Sequence, residues 1–379
     1  MRTPLPFLNE RLSDLYEEMT ARERRYIGFP NSRIFDHSAL GRFLRFPINN
    51  VGDPFRPNSG INTCVFEQEV IAFFSSLLNL APDAGWGYVT NGGTEGNLFS
   101  LLLAREKFPT GIVYFSEDAH YSLLKIMRML RMEYRVVAST PSGQIDTAAL
   151  TQQIEAHSGR PVIISANIGT TMTGAIDDVP AILRILDQLG VQQRFVHCDA
   201  ALFGCMLPFI REAPPFDFAL PIDSLSISGH KFPGSPIPNG VVLTRGREPF
   251  EFSQGEADYV GSHDCTISGS RDGIGVLILW QTVMSLGREG LETLVRESLQ
   301  LSDYALRTIT AAGWDAWSNP SSCIVVFKTP GEQLVRKWQL AARGDTAHLV
   351  LLPGVTEEAI EAFAADLRKS ISAGLTVCQ

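Results

Sequence analysis

Between Trp86 and Thr244 the chain alternates short β-type runs with longer amphipathic stretches. The runs are GWGYVT, GIVYFS, YRVVAS, PVIISANI, RFVHCD, SLSIS and GVVLT, and stretches such as TEGNLFSLLLAREKF and DVPAILRILDQLG lie between them. Strands joined by helical crossovers pair in parallel, because the crossover returns the chain to the edge it started from. The pattern therefore predicts an α/β fold whose large domain is a mostly parallel, helix-covered sheet. Sheets of this kind gather ligands at the carboxyl ends of their strands. Polar residues directly after the apolar runs are thus the candidates for chemistry.

The flanks differ. The first 58 residues read as helical and then rich in Pro, Asn and Gly (FPINNVGDPFRPNSG), as expected of an arm lying over another surface. Residues 59–286 form the large domain. Residues 287–379 carry a long helical pattern (REGLETLVRESLQLSDYALRTITAAG), the run SSCIVVFKT, a helix EQLVRKWQLAA, a strand HLVLL and a last helix opening at the capping candidate Thr356, which predicts a small α+β C-terminal domain. The chain carries 41 acidic and 32 basic side chains, a net charge of −9, and no basic cluster, so a nucleic-acid partner is not expected. Apolar runs such as LFSLLLA are too short to span a membrane. The first 25 residues mix both charges and lack a signal-type apolar core, so the expected location is cytoplasmic. The six cysteines, Cys64, Cys198, Cys205, Cys265, Cys323 and Cys378, form no C-x-x-C pair, so no metal site is expected and the thiols read as reduced and buried.

Four strand ends stand out. Thr90-Asn91-Gly92-Gly93-Thr94-Glu95-Gly96-Asn97 is a glycine-rich turn opening a helix, where free amides and the Thr94 hydroxyl suit a phosphate. It fits neither G-x-G-x-x-G nor the P-loop, so no dinucleotide or triphosphate is indicated. Asp199 ends RFVHC with small residues behind it, a position suited to pairing with a buried cation. Lys231 follows SLSIS in Ser228-Gly229-His230-Lys231, where burial can free a neutral amine for Schiff-base chemistry. His120 follows GIVYF in SEDAHYS. Taken singly, each has a plainer reading: an ordinary turn, a helix N-cap, a solvated lysine, a structural histidine. Gathered at one sheet edge, a phosphate cradle, an acid, an amine and an imidazole describe a site for pyridoxal 5'-phosphate.

These residues sit in motifs that resemble the group II pyridoxal-phosphate-dependent amino-acid decarboxylases of fold type I. Within that group the likeness is to the bacterial histidine decarboxylases and the plant-type serine decarboxylases. The resemblance covers about residues 26 to 367 and is carried by RFLRFPINNVGDP, GYVTNGGTEGN, AHYSLLKI, NIGTTMTGAIDD, HCDAALFG, SISGHKF, TISGSRDG and GDTAHLV. It implies that Lys231 binds the cofactor aldehyde, Asp199 pairs with the pyridine nitrogen, and His120 and Ala201 cover the two ring faces. Gly93, Thr94, Ser228 and His230 would hold the phosphate, with Thr170 or Thr171 close by. The resemblance further implies a homodimer with sites at the subunit interface, closed by a loop from the partner chain. That loop would fall within residues 256–271, where Tyr259 and His263 are candidates for protonation.

The implied reaction is α-decarboxylation of a small polar L-amino acid, with the arm FPINNVGDPFRPNSG approaching the substrate. Two features point in different directions. GSHDCTISGSRDG looks like the histidine enzymes, whereas GDPF, ALFG and LLPGVT look like the serine enzymes. Histidine is placed slightly ahead of serine, with a pathway-specific amino-acid-like substrate as a further alternative. An aminotransferase would bind the α-carboxylate through an arginine such as Arg336, Arg343 or Arg368. A non-catalytic pyridoxal-phosphate-binding regulator would need a DNA-binding appendage, and the sequence has no basic helix-turn-helix segment.

Overall fold

The expected runs become strands of one sheet because nearly all are buried on both faces, as parallel strands beneath two helix layers must be. The computed structural model describes residues 5–246 and 261–372. In chain order its elements begin with α1 (Leu5–Glu23), β1 (Asn50–Val51), α2 (Cys64–Leu77), β2 (Gly85–Thr90), α3 (Gly93–Lys107), β3 (Ile112–Ser116) and α4 (Ser122–Leu130). They continue through β4 (Glu133–Val137), α5 (Thr147–Glu155), β5 (Val162–Asn167), α6 (Val179–Gln188), β6 (Arg194–Asp199), β7 (Ser224–Ser228) and β8 (Gly240–Arg245). The C-terminal part holds β9 (Ser270–Arg271), α7 (Gly273–Ala311), β10 (Ala316–Trp317), β11 (Ile324–Lys328), α8 (Glu332–Trp338), β12 (Ala341–Arg343), β13 (Thr346–Val350) and α9 (Glu357–Ser372).

The main sheet runs β2-β8-β7-β6-β5-β3-β4. All its strands point one way except β8, which is antiparallel to both β2 and β7. The carboxyl ends of β2, β3, β5, β6 and β7 therefore share one edge. Side-chain caps start several helices: Asp146 accepts from Ala148 N and Ala149 N at α5, Asp178 from Ala181 N at α6, and Asp272 from Ile274 N at α7. The C-terminal sheet, ordered β10-β11-β13-β12, is antiparallel and packs on α9 and the far half of α7.

Three details depart from the sequence reading. The long helix starts at Gly273 rather than at residue 288 and is kinked at Gly287 (φ +57°, ψ −167°). The helix expected through EQLVRKWQLAA ends at Trp338, because Gln339 turns left-handed (φ +49°) and residues 341–343 join the small sheet as β12. That break draws Leu340 into a core with Ile27 and Trp338, a tertiary gain that outweighs local helix preference. The strand expected at HLVLL begins two residues earlier, at Thr346. The arm partly lies on its own chain: Val350 N donates to Ile27 O at 2.9 Å, and the ring nitrogens of buried His348 lie 3.1 Å from Gly28 O and from Met172 O.

One buried ion pair knits the arm to the large domain. Arg271, 5% exposed, pairs with Glu67, which is fully buried. Arg271 Nη2 also donates to Gly52 O at 3.0 Å, while Glu67 accepts from Val89 N and from Asn50 Nδ2, each at 2.9 Å. Neighbouring Glu67 raises the Arg271 guanidinium against the opposing effect of burial. Removing one partner would strand the other's charge in the interior. Glu67→Leu is expected to lower stability by about 3–5 kcal/mol, read as a fall in the urea midpoint at fixed protein concentration.

Candidate active site

At the shared strand edge a cavity of about 220 Å³ is lined by Gly93, Thr94, Asn97, His120, Tyr121, Asn167, Gly169, Thr170, Thr171, Asp199, Ala201, Ser228, His230 and Lys231. Ten residues expected from the sequence are in that wall: Gly93, Thr94, His120, Thr170, Thr171, Asp199, Ala201, Ser228, His230 and Lys231. They arrive from five strand ends far apart in sequence.

The turn after β2 supplies the cradle. Gly92 sits at φ +121°, a conformation that side-chain-bearing residues rarely adopt, and starts α3 abruptly. Gly93 N donates to Ser228 Oγ at 3.1 Å, and a Cβ on Gly93 would come within 2.7 Å of that oxygen and 3.3 Å of the Ala201 methyl. The first amides of α3, the Ser228 hydroxyl and the half-buried His230 ring thus converge where an anion would sit. His230 Nδ1 lies 2.9 Å from Asn239 O, and burial lowers this imidazole.

Beyond β7 the chain makes a single π turn, His230–Gly234, an uncommon local winding that recurs at functional positions. It carries Lys231. Burial pushes the Lys231 ammonium down from its ordinary range, and the Asp199 carboxylate opposes this. The arm fastens the turn from outside, since Ser32 N donates to Lys231 O at 3.1 Å and Ser32 Oγ to Phe232 O at 2.6 Å. Asp199, 7% exposed at the end of β6, accepts from Asn97 Nδ2 at 2.6 Å and from Ala201 N at 3.3 Å.

His120 is oriented by its own turn: its Nδ1 lies 2.7 Å from Ser122 Oγ and accepts from Ser122 N at 3.3 Å. The Tyr121 ring lies against it, centroids 4.2 Å apart. Burial lowers the His120 imidazole, and nearby Asp199 works in the opposite sense. Of the two threonines, Thr170 is buried and occupied, meeting Thr173 Oγ1 at 2.8 Å and accepting from Ala175 N at 3.0 Å, whereas Thr171 is exposed.

A cofactor with an anionic group, an aldehyde and a basic ring nitrogen fits this arrangement, since the glycine cradle, the buried amine and the buried carboxylate line a single small cavity. Some expectations are not met within one chain. No residue of FPINNVGDPFRPNSG lines the cavity, and Asp53 instead accepts from Trp86 Nε1 at 3.1 Å and Phe55 N at 3.0 Å. His263 is half-buried but is not in the cavity wall, and Tyr259 lies outside the described residues. Arg336 and Arg343 pair with Glu332 and Asp118, and neither they nor Arg368 line the cavity.

Asn97, Tyr121, Asn167 and Gly169 were not among the expected site residues. All four lie inside motifs already noted, and Asn97 was legible as a polar residue one helical turn after Gly93 on a face that must meet the sheet. It anchors a buried chain. Its Oδ1 accepts from Ser226 Oγ and lies 2.9 Å from His197 Nε2, while His197 Nδ1 lies 2.9 Å from Ser224 Oγ.

Comparison with known proteins agrees with this geometry. Residues 48–329 match the family described as the pyridoxal-dependent decarboxylase conserved domain. The chain is 44% identical to a histidine decarboxylase of Pseudomonas entomophila over 90% of this chain and 86% of that protein. It is 41% identical to serine decarboxylase 2 of Oryza sativa over 93% of this chain and 76% of that protein. The structure of L-methionine decarboxylase from Streptomyces sp.590, complexed with L-methionine methyl ester, superposes with a TM-score of 0.89 at 26% identity, covering 97% of this chain and 95% of that one.

Burial holds the His197 imidazole down at about 4. Its folded value lies below that of an unfolded histidine, so between pH 6.5 and 4 the unfolded chain takes up a proton that the native chain does not. Stability from this residue is present above that window and is lost on acidification, by about 2 kcal/mol at pH 5. Relative to wild type, His197→Gln should therefore be less destabilised at pH 5 than at pH 7, measured as the difference between urea midpoints.

Proposed function

Since the chain belongs to the family of pyridoxal-dependent decarboxylases, we propose that it removes the α-carboxylate of a small polar L-amino acid, histidine to histamine, using pyridoxal 5'-phosphate. The observation that carries this reading is the convergence of the amine, the buried acid, the imidazole and the glycine cradle on one small cavity. Bound there, the cofactor supplies an aldehyde that condenses with amines and a protonated ring that accepts the electron pair left as carbon dioxide departs.

The protein's part follows from its own residues. Amides of Gly93 and Thr94, with Ser228 and His230, hold the phosphate and so fix where the ring lies. Asp199 holds a proton on the ring nitrogen, which a buried carboxylate does well because its charge has few competing partners. Lys231, whose ammonium is lowered by burial, would be the amine that holds the cofactor through its aldehyde and would yield that place to the substrate amine. His120 and Ala201 cover the ring faces and exclude water, leaving the substrate carboxylate poorly solvated and readier to leave. Thr170 and Thr171 border the cofactor. Tyr259 and His263, on the segment 256–271, serve protonation in a partner's site, which accounts for the absence of His263 from this chain's own cavity wall.

Three features support the wider reading. The stripe Leu12, Leu15, Tyr16 and Met19 on α1 is 50–73% exposed at i, i+3, i+4, i+7 spacing, a helical face of the kind that a second copy covers in a homodimer. The kink at Gly287 supports the last boundary of the proposed division into arm (1–58), cofactor domain (59–286) and small domain (287–379). Among the described residues no helix is long and apolar enough to cross a membrane, in keeping with a cytoplasmic enzyme. Serine, giving ethanolamine, is the second reading, favoured by GDPF where bacterial histidine enzymes usually have Gly-Asp-Trp. Transamination is disfavoured because none of Arg336, Arg343 and Arg368 lines the cavity.

Purified holoprotein screened for amine release should turn over histidine, with carbon dioxide released in equal amount. Turnover of serine alone would select the second reading, and pyruvate-dependent turnover without carbon dioxide would overturn decarboxylation. Lys231→Ala should abolish both turnover and the visible absorbance of the bound cofactor. The pair Leu15→Glu and Met19→Glu should shift the protein from dimer to monomer in sedimentation velocity.

A further inference from the structure

We propose that Asn97 and His197 are positioning residues for Asp199, forming with Ser224 and Ser226 a buried relay that fixes which carboxylate oxygen meets the cofactor's ring nitrogen. The proposal rests on the assignment of Asp199 to that nitrogen and goes beyond it by naming what aims the carboxylate.

The direction of every bond in the relay follows from one fact. A carboxylate only accepts, so the Asn97 group 2.6 Å from Asp199 Oδ2 must be its amide nitrogen. The Asn97 oxygen then faces the other way, towards the Ser226 hydroxyl, which donates to it, and towards His197 Nε2 at 2.9 Å. Nε2 must therefore carry the ring proton, which leaves Nδ1 to accept from the Ser224 hydroxyl at 2.9 Å. No member has a choice of tautomer or flip without placing two acceptors face to face. Burial keeps the ring neutral, in keeping with a single ring proton.

The relay is sealed. Asn97 is 2% exposed, and His197, Ser224 and Ser226 are fully buried, so no water substitutes for a lost donor. It also has a backbone basis. Ser224, Ser226 and Ser228 alternate on one face of β7, and α3 comes close enough there that a Cβ on Gly96 would lie 2.7 Å from the Ser226 Cβ. Asp199 Oδ2 is thereby occupied, while Oδ1 keeps only a long 3.3 Å contact from Ala201 N and has lone pairs to spare for a ligand.

The test titrates pyridoxal 5'-phosphate into cofactor-stripped protein and follows visible absorbance, a readout independent of turnover. Asn97→Leu should raise the dissociation constant about tenfold or more and move the pH at which the bound cofactor's band changes, and in the reconstituted enzyme kcat should fall while KM holds. His197→Leu should act in the same direction, and His197→Gln, which restores an N–H facing Asn97 Oδ1, should recover much of the loss. Wild-type affinity and band in Asn97→Leu would overturn the proposal. If Asn97→Leu does not fold, equal behaviour of His197→Leu and His197→Gln would overturn it instead. Asp199→Asn separates the two layers: should it bind and absorb as wild type, the assignment of Asp199 fails, whereas a weakened Asp199→Asn beside an unaffected Asn97→Leu refutes the relay alone.

Discussion

A carboxylate at the buried end of a central strand is the constraint around which this structure is arranged. Asp199 cannot sit there unpartnered, because an uncompensated buried charge would cost more than most single contacts return. Its environment meets that demand from three directions: an amide from α3, a backbone N–H from Ala201 and the nearby Lys231 amine, whose charged form the carboxylate favours against burial. Each imposes a further requirement. For Asn97 to reach Asp199, α3 must press onto the sheet, which the glycine at position 96 permits. For Lys231 to lie near, the chain leaving β7 must wind tightly, and the π turn does so.

The same edge shows how a parallel sheet turns distant sequence into one site. Residues of the cavity wall run from Gly93 to Lys231, yet each lies within seven residues of a strand's carboxyl end. The sheet fixes their spacing, and the segments outside it fix their orientation. The arm returns to hold the lysine turn through Ser32, and β13 of the small sheet places His348 beside both Gly28 and Met172. The loop 168–175, which supplies Gly169, Thr170 and Thr171 to the cavity wall, is thus touched by the C-terminal part of the chain.

Much of this was legible because its causes are local. Hydrophobic runs at strand spacing marked the sheet, Gly92 and Gly93 marked a turn that only small residues can make, and the polar residues after each run marked the edge. What stayed hidden depends on contacts between distant segments. Gln339 stops a helix that local preference would continue, because Leu340 is drawn into the core beside Ile27, more than three hundred residues earlier. The chain that steadies Asp199 joins α3, β6 and β7, and no spacing rule links residues 97, 197 and 226. Even so, SLSIS carried a trace of it: three serines on one face of a buried strand are costly unless something facing them bonds to them.

Substrate choice follows different logic from cofactor binding. The resemblance assigns ten residues of the cavity wall to the cofactor, and relatives named for histidine and for serine resemble the chain almost equally. Discrimination between an imidazole and a hydroxymethyl group then falls to wall residues left unassigned, such as Tyr121 and Asn167, or to groups outside the wall. The polar arm segment 46–60 is one outside source, yet in one chain it packs against α2 and β2, with Asn50 donating to Glu67 and Asp53 accepting from Trp86, rather than entering the cavity. An arm held that firmly is well suited to present its outer surface to a neighbour. In the proposed homodimer, which the exposed apolar face of α1 supports, that surface would face a second copy, and a change in GDPF would then act on the substrate without disturbing the cofactor.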